Sequence, residues 1–238
     1  MAAAAGPYDR DADGPFRPSD RPAPKPRDAA TLILVRQGRG GEPDVLMGRR
    51  HGGHDFMPGK WVFPGGRIDR ADFRAPAASE LRPEVAAKLA LTAPPARARA
   101  LALAAVRETF EEAGLLLAKP AQVAPRTGPW APFLAQGAAA DLAALSFVAR
   151  AITPPYRPKR FDARFFMAEA SALTRQERLA DCGELDEIAW TPLSRALELD
   201  LPNVTRFVLG GLEARLAEPE RPIPFLRYRR GKSELTYL

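Results

Sequence analysis

The ten residues from Val106 to Leu115, "VRETFEEAGL", constrain this chain more than any other stretch, because they set three glutamates and an arginine on one short helical segment. At about 100° per residue, Glu108, Glu111 and Glu112 stand at i, i+3 and i+4, so their carboxylates share one side. Leu103, Val106, Phe110 and Ala113 fall on the opposite side and make a stripe that packs on a core. Gly114 suits a left-handed helix end, and "LLLA" after it reads as the start of a strand. The acids are either a solvated face with Arg107 as a local partner or a cluster that holds a cation. Like charges at this spacing repel by roughly a few tenths of a kcal/mol per pair. With no cysteine or histidine beside them, an all-oxygen ligand set points to magnesium or manganese and away from zinc.

A second stretch, "KWVFPGGRIDRAD" at 60 to 72, bears on that choice. Trp61, Val62 and Phe63 make an apolar strand end and Pro64 stops it. Gly65 and Gly66 permit a tight turn whose backbone approaches a neighbour closely. Taken with "RETFEEAGL", this resembles the box of the Nudix hydrolase family. That pattern runs Gly, five residues, Glu, seven residues, then Arg-Glu-hydrophobic-any-Glu-Glu-any-Gly-hydrophobic. The second half matches at Arg107, Glu108, Glu111, Glu112, Gly114 and Leu115, with Thr109 where a hydrophobic residue belongs. In the first half, the position six after Gly66 holds Asp72 instead of glutamate, and 34 residues separate it from Arg107. The box reads as split by an insertion over 73–96.

The remaining elements suit one domain over 28–238. "TLILVRQ" and "DVLMGRR" read as strands around the turn "GRGGEP", and "KWVFP" as another. In the insertion "PEVAAKLAL" reads as a helix ended by "TAPP", and a long helix over 96–113 carries the acids. "LSFVARAIT", the alternating "RFDARFFMAEA" and "DEIAWTPL" are further strands. "PLSRALEL" and "NVTRFVLGGLEARLA" read as helices, the second capped by Asn203, and "PFLRYRRGKSELTYL" as a hairpin turning near Gly231 and Lys232. Strands leading, helices interspersed and no βαβ rhythm indicate an α+β fold. The resemblance implies a mixed β-sheet sandwiched between α-helices.

Composition excludes several alternatives. A chain of 238 residues with 46% hydrophobic content buries one sizeable core. Residues 1–27, rich in Pro, Ala, Arg and Asp without periodicity, read as a disordered tail. No apolar run is long enough to span a bilayer, and the lone Cys182 gives no disulfide framework, so a cytoplasmic protein is expected. The net charge of +6 is spread along the chain, without the aromatic-interleaved basic stripe of a nucleic-acid binder. Nucleic acid is therefore not expected as a partner, whereas small polyanions are.

What the resemblance implies follows residue by residue. Glu108 and Glu112 are the principal ligands of Mg2+ or Mn2+, Glu111 binds a further ion directly or through water, Gly66 offers its carbonyl, and Arg107 orients a box glutamate. The general base is either a glutamate of the box or an acid of a later loop, for which Glu184 and Glu187 in "DCGELDEIAW" are the candidates. Arg49, Arg50, Arg160 and Arg164 are candidates for the substrate's phosphates. Trp61 reads as core and Phe56 as a residue to stack on a base, while His51 and His54 read as loop residues.

The block "RRHGGHDFMPGKWVFPGG" and the interrupted box resemble a coenzyme A diphosphatase branch of the family, the one found in animal peroxisomes. A second signature of such enzymes is met only at Arg50, Gly59 and "FPGG", with Met57 where it has histidine. The expected activity is a metal-dependent pyrophosphohydrolase of a small nucleoside diphosphate derivative, coenzyme A or acyl-CoA first and ADP-ribose or a dinucleotide second. A catalytically silent nucleotide-binding module is the reading from another class. Against it stand all three box glutamates. Three roles are open to the insertion: a lid, a homodimer contact or a longer loop.

Overall fold

The apolar run Ala29 to Val35 becomes the centre of the molecule because it is apolar on both faces. In the computed structural model, which describes residues 22–53, 57–124, 127–174, 185–229 and 232–238, this run lies in strand β1 (Arg27–Gln37). Ala29, Ala30 and Leu32 to Val35 are all buried, as expected of a strand covered on both sides. β2 (Pro43–Arg50) follows antiparallel, with Val35 opposite Val45.

β2 leaves β1 beyond Val45, and the gap opened beside the first half of β1 is filled by two short strands. β3 (Trp61–Val62) stays with β2, whereas β4 (Gly65–Arg67) pairs antiparallel with β1, Ala30 opposite Gly66. Gly65 and Gly66 were expected in a tight turn. They are instead extended in β4, because the edge of β1 that β2 vacates still has hydrogen-bonding groups to satisfy; the Leu32 amide, for one, donates to the Pro64 carbonyl at 3.0 Å.

β5 (Ala77–Ser79), α1 (Pro83–Ala90) and α2 (Pro95–Ala113) come next. β6 (Ala118–Pro120), α3 (Ala131–Leu134), β7 (Ala138–Asp141), β8 (Ser146–Ile152), β9 (Phe161–Glu169) and β10 (Leu185–Pro192) follow. α4 (Leu193–Ala196), α5 (Asn203–Gly210), α6 (Leu212–Ala217), β11 (Pro224–Arg229) and β12 (Lys232–Tyr237) complete the chain. The main sheet runs β10-β2-β1-β9-β8-β11-β12. The β1/β9 and β8/β11 junctions are parallel and the others antiparallel, so the sheet is mixed.

Side-chain alternation divides the core in two. Ala30, Leu32 and Leu34 face α2 together with Phe166, while Ile33, Val35 and Phe165 face Leu193, Val208 and Leu212 of α4 to α6. The expected α+β sandwich of a mixed sheet between helices is therefore observed. α2 differs from an amphipathic surface helix: its expected stripe is buried, and so are Leu101, Ala102, Ala104 and Ala105. The reason is a second sheet, β5-β7-β6, on the α2 side. "LLLA" contributes to it only from Ala118 onward.

Two further expectations shift and a third holds. Ala75, Val85, Leu89 and Ala93, from the segment 73–96, are buried in the α2 core. The helix expected over 203–217 is broken at Gly211, and Asn203 is its first helical residue, not its cap; Pro202 precedes it and no side chain caps it. β11 and β12 form the expected hairpin, with Arg229 opposite Lys232 and residues 230–231 outside the described ones. Among the described residues no helix is long and apolar enough to cross a membrane.

Candidate active site

The site begins where the last turns of α2 pass over β4. Gly65 donates its amide to Glu112 Oε2 at 2.9 Å. At Gly66 a Cβ would stand 2.5 Å from both carboxylate oxygens of Glu108. At Gly65 it would stand 2.6 Å from the Ala30 carbonyl oxygen, which cannot move aside. Two glycines are thus required for α2 and β1 to approach β4 from both sides. α2 ends at Gly114 with φ 66°, and the Gly114 amide donates to the Phe110 carbonyl.

Arg107 fixes the acids from behind. Its Nε and Nη2 donate to the two oxygens of Asp72 at 2.9 and 3.1 Å, the bidentate geometry a guanidinium makes with a carboxylate. Its Nη1 reaches Glu111 Oε2 at 2.7 Å and Glu108 Oε1 at 2.9 Å, and its Nη2 also donates to the Arg67 carbonyl. Burial works against the charge of Arg107, but the hydrogen bond to Asp72 and the charges of Glu108, Asp72 and Glu111 outweigh it and raise its pKa well above the ordinary value.

Asp72 is fully buried. Besides Arg107 it accepts from Trp130 Nε1 at 2.8 Å and from the Asp69 amide at 2.7 Å. The helical turn Arg70–Arg74, capped by Asp69, brings it there. Asp72 therefore partners Arg107 across the 34 intervening residues. Trp130 escaped the sequence reading. The only signal was a general one, that a buried indole N–H needs an acceptor.

Glu108 and Glu112, with side chains 15% exposed for Glu108 and the whole residue 5% exposed for Glu112, border a cavity of about 680 Å³. Its floor is the sheet face of Ala29, Ala151, Ala163 and Phe165, which α5 leaves partly uncovered. Cations surround it: Lys25, Arg27, Arg50, Arg67, Lys159 and Arg160 all line it. Arg160 donates from Nε to the Thr153 carbonyl and from Nη1 to that of Pro24. Burial lowers its pKa from the ordinary value.

Of the four arginines expected at the substrate, the structure brings Arg50 and Arg160 to the cavity and leaves out two. Arg164 points to the other face, where it is 2% exposed and paired with Asp28 and Asp162. The alternation of β9 puts it there, next to the core residue Phe166. Arg49 lies on β2 with its Nε 3.7 Å from Glu187 Oε2. Glu187 was expected on a loop as a candidate base; it sits in β10 directly opposite Arg49 and does not line the cavity. Glu184, Phe56 and His54 lie outside the described residues. Trp61 packs on the core as expected, and His51 is an exposed loop residue 3.9 Å from Asp186. No residue of 73–96 lines the cavity.

Glu111 and Glu108 both meet Arg107 Nη1, while Glu112 meets the Gly65 amide. Among the described residues no three histidine, cysteine or acidic side chains form a metal-binding group. Glu108 and Glu112, however, both bring a carboxylate to β4, Glu112 at the Gly65 amide and Glu108 against Gly66, where no Cβ intervenes. That all-oxygen set suits a hard divalent ion.

No family model and no curated protein sequence matches the chain. Solved structures do. The NUDIX hydrolase of Alicyclobacillus acidocaldarius is 33% identical with a TM-score of 0.63, over 80% of this chain and 92% of that one. The NUDIX domain of Shewanella oneidensis NrtR, crystallised with ADP ribose, is 13% identical with a TM-score of 0.48, over 81% and 90%. A C. elegans Ap4A hydrolase is 16% identical with a TM-score of 0.43, over 80% and 98%.

Proposed function

The chain belongs to the Nudix hydrolase family, enzymes that act on phosphoric anhydrides, and from that premise we propose a metal-dependent pyrophosphohydrolase of a nucleoside-containing diphosphate, with coenzyme A the first substrate. One observation carries the reading: two carboxylates of α2, Glu108 and Glu112, open onto a cavity whose other charged lining residues are lysines and arginines. A diphosphate is drawn in by the cations and repelled by the two acids. Only a cation at the acids reconciles the two.

Glu108 and Glu112, with the Gly66 carbonyl, would hold Mg2+ or Mn2+. Such an ion supplies positive charge to the diphosphate and activates water. The chain's own residues do the rest. Trp130 holds Asp72, Asp72 holds Arg107, and Arg107 holds Glu108 and Glu111, so these two acids need no rearrangement during the reaction. Gly65 fixes one oxygen of Glu112 through its amide. Arg50 and Arg67 border the cavity and would neutralise phosphate oxygens. Water adds to one phosphorus, the bridging P–O bond breaks, and the bridging oxygen leaves on the other phosphate. On this reading the box is a split one, in which Asp72 takes the place of the first acid.

Coenzyme A rests on the block before "FPGG", now the approach to β3 and β4. Mass spectrometry of products tests it, with coenzyme A and ADP-ribose supplied in equal amounts and with magnesium, manganese or EDTA. Metal-dependent 3′,5′-ADP and 4′-phosphopantetheine support coenzyme A. AMP and ribose 5-phosphate would move the protein to ADP-ribose, and no turnover of any diphosphate would leave the silent binding module.

A further inference from the structure

We propose that the end of the cavity bounded by Arg27 and Arg160 binds a second phosphate of the substrate, a phosphomonoester set apart from the diphosphate. This rests on the reading above, in which the diphosphate lies at Glu108 and Glu112.

The register of β1 measures the separation. Thr31 is opposite Gly65, at the acids, and Ala29 is opposite Arg67. Arg27 lies two residues further on the same face, with its amide bonded to the Arg160 carbonyl at 2.9 Å. Four residues of strand from Thr31 to Arg27 span about 13 Å, more than one diphosphate reaches. Between the two ends the floor is apolar and made largely of alanine: Ala29, Ala151 and Ala163. It suits an uncharged part of the substrate. Lengthwise the cavity therefore reads acids, apolar floor, cations.

The charge at the far end is uncompensated. Arginines on the adjoining strands of the sheet each have a carboxylate: Arg150 has Asp162, Arg164 has Asp28, and Arg227 has Glu234. Among the described residues Lys25, Arg27 and Arg160 have no salt bridge, though all three line the cavity. Arg160 is held by two main-chain carbonyls, which orient the guanidinium without neutralising it. A pre-oriented guanidinium without an acid, next to a second arginine, is suited to a phosphate dianion.

Calorimetric titration with 5′-AMP, 2′,5′-ADP and 3′,5′-ADP tests the site without turnover, since the bisphosphates differ from AMP only by the extra phosphate. The wild type is expected to bind at least one bisphosphate roughly 10-fold or more tightly than AMP. In Arg160→Met the ratio of bisphosphate to AMP affinity falls toward one. Arg27→Met, which changes an exposed side chain, gives the same direction where loss of the Arg160 carbonyl contacts disturbs folding. Equal affinities for all three nucleotides in the wild type, or a ratio that survives both substitutions, would overturn the proposal. A bisphosphate preference in a protein that cleaves no diphosphate would instead keep this site and remove the hydrolase reading.

Discussion

Two sets of charges serve this site, and they are built in opposite ways. Behind the end of α2, Asp72 and Arg107 are sealed at 0% and 4% exposure, and each is matched by partners. At the far end of the cavity from Glu108 and Glu112, Lys25, Arg27 and Arg160 line it with no acid paired to them among the described residues. The first set has only one arrangement that satisfies its hydrogen bonds, so it fixes geometry. The second gains a partner only when an anion arrives, so it reads a ligand. Burial, more than residue type, separates the two roles, because an unpaired buried charge is far more costly than an exposed one.

The sharpest way to break this comparison is to damage the sealed side. Asp72→Ala leaves Arg107 buried without its main partner and is expected to cost about 3–5 kcal/mol. Urea denaturation measures this, and an unchanged midpoint would show that the network is not structural. Glu112→Gln keeps an oxygen for the Gly65 amide but removes the charge. Turnover of the accepted substrate is expected to fall by more than roughly 100-fold, beyond what losing a mere supporting group costs, with the melting temperature held. Gly66→Ala is milder. Its new methyl pushes on the flexible end of Glu108 and not on backbone, so stability changes little while turnover drops roughly 10-fold. Smallest of all is Glu187→Gln, whose partner Arg49 is half exposed. Stability moves by under about 0.5 kcal/mol, and kcat stays within a factor of about two of wild type; a large loss of kcat would return Glu187 to the candidates for the base.

The acids were legible in the sequence because their spacing is local. Glu108, Glu111 and Glu112 need only a helix to share a side, and the glycine pair needs only "FPGG" to announce a close approach. Whatever depends on contacts distant in the chain was less so. Nothing in "GPWAPF" says that Trp130 donates to Asp72, and a segment of 34 residues conceals that Asp72 reaches Arg107 at all. Strand periodicity correctly put Arg164 on the face opposite Phe165, but it put Arg160 there too, whereas Arg160 precedes β9 and lines the cavity beside Phe165; nor could it show that Arg164 would meet Asp28. β7 was missed because "AAAD" carries no alternation, and it was this strand's sheet that turned α2 from an amphipathic helix into a buried one.

The central claim is that Glu108 and Glu112 together hold a divalent ion at the mouth of the cavity. Titration of the protein with Mn2+, followed by loss of the free-ion electron paramagnetic resonance signal, tests it independently of substrate. The account predicts saturable binding in the wild type, weakened by roughly 10-fold or more in both Glu108→Gln and Glu112→Gln and unaltered in Glu187→Gln. No saturable binding in the wild type, or equal binding in all four proteins, would contradict it.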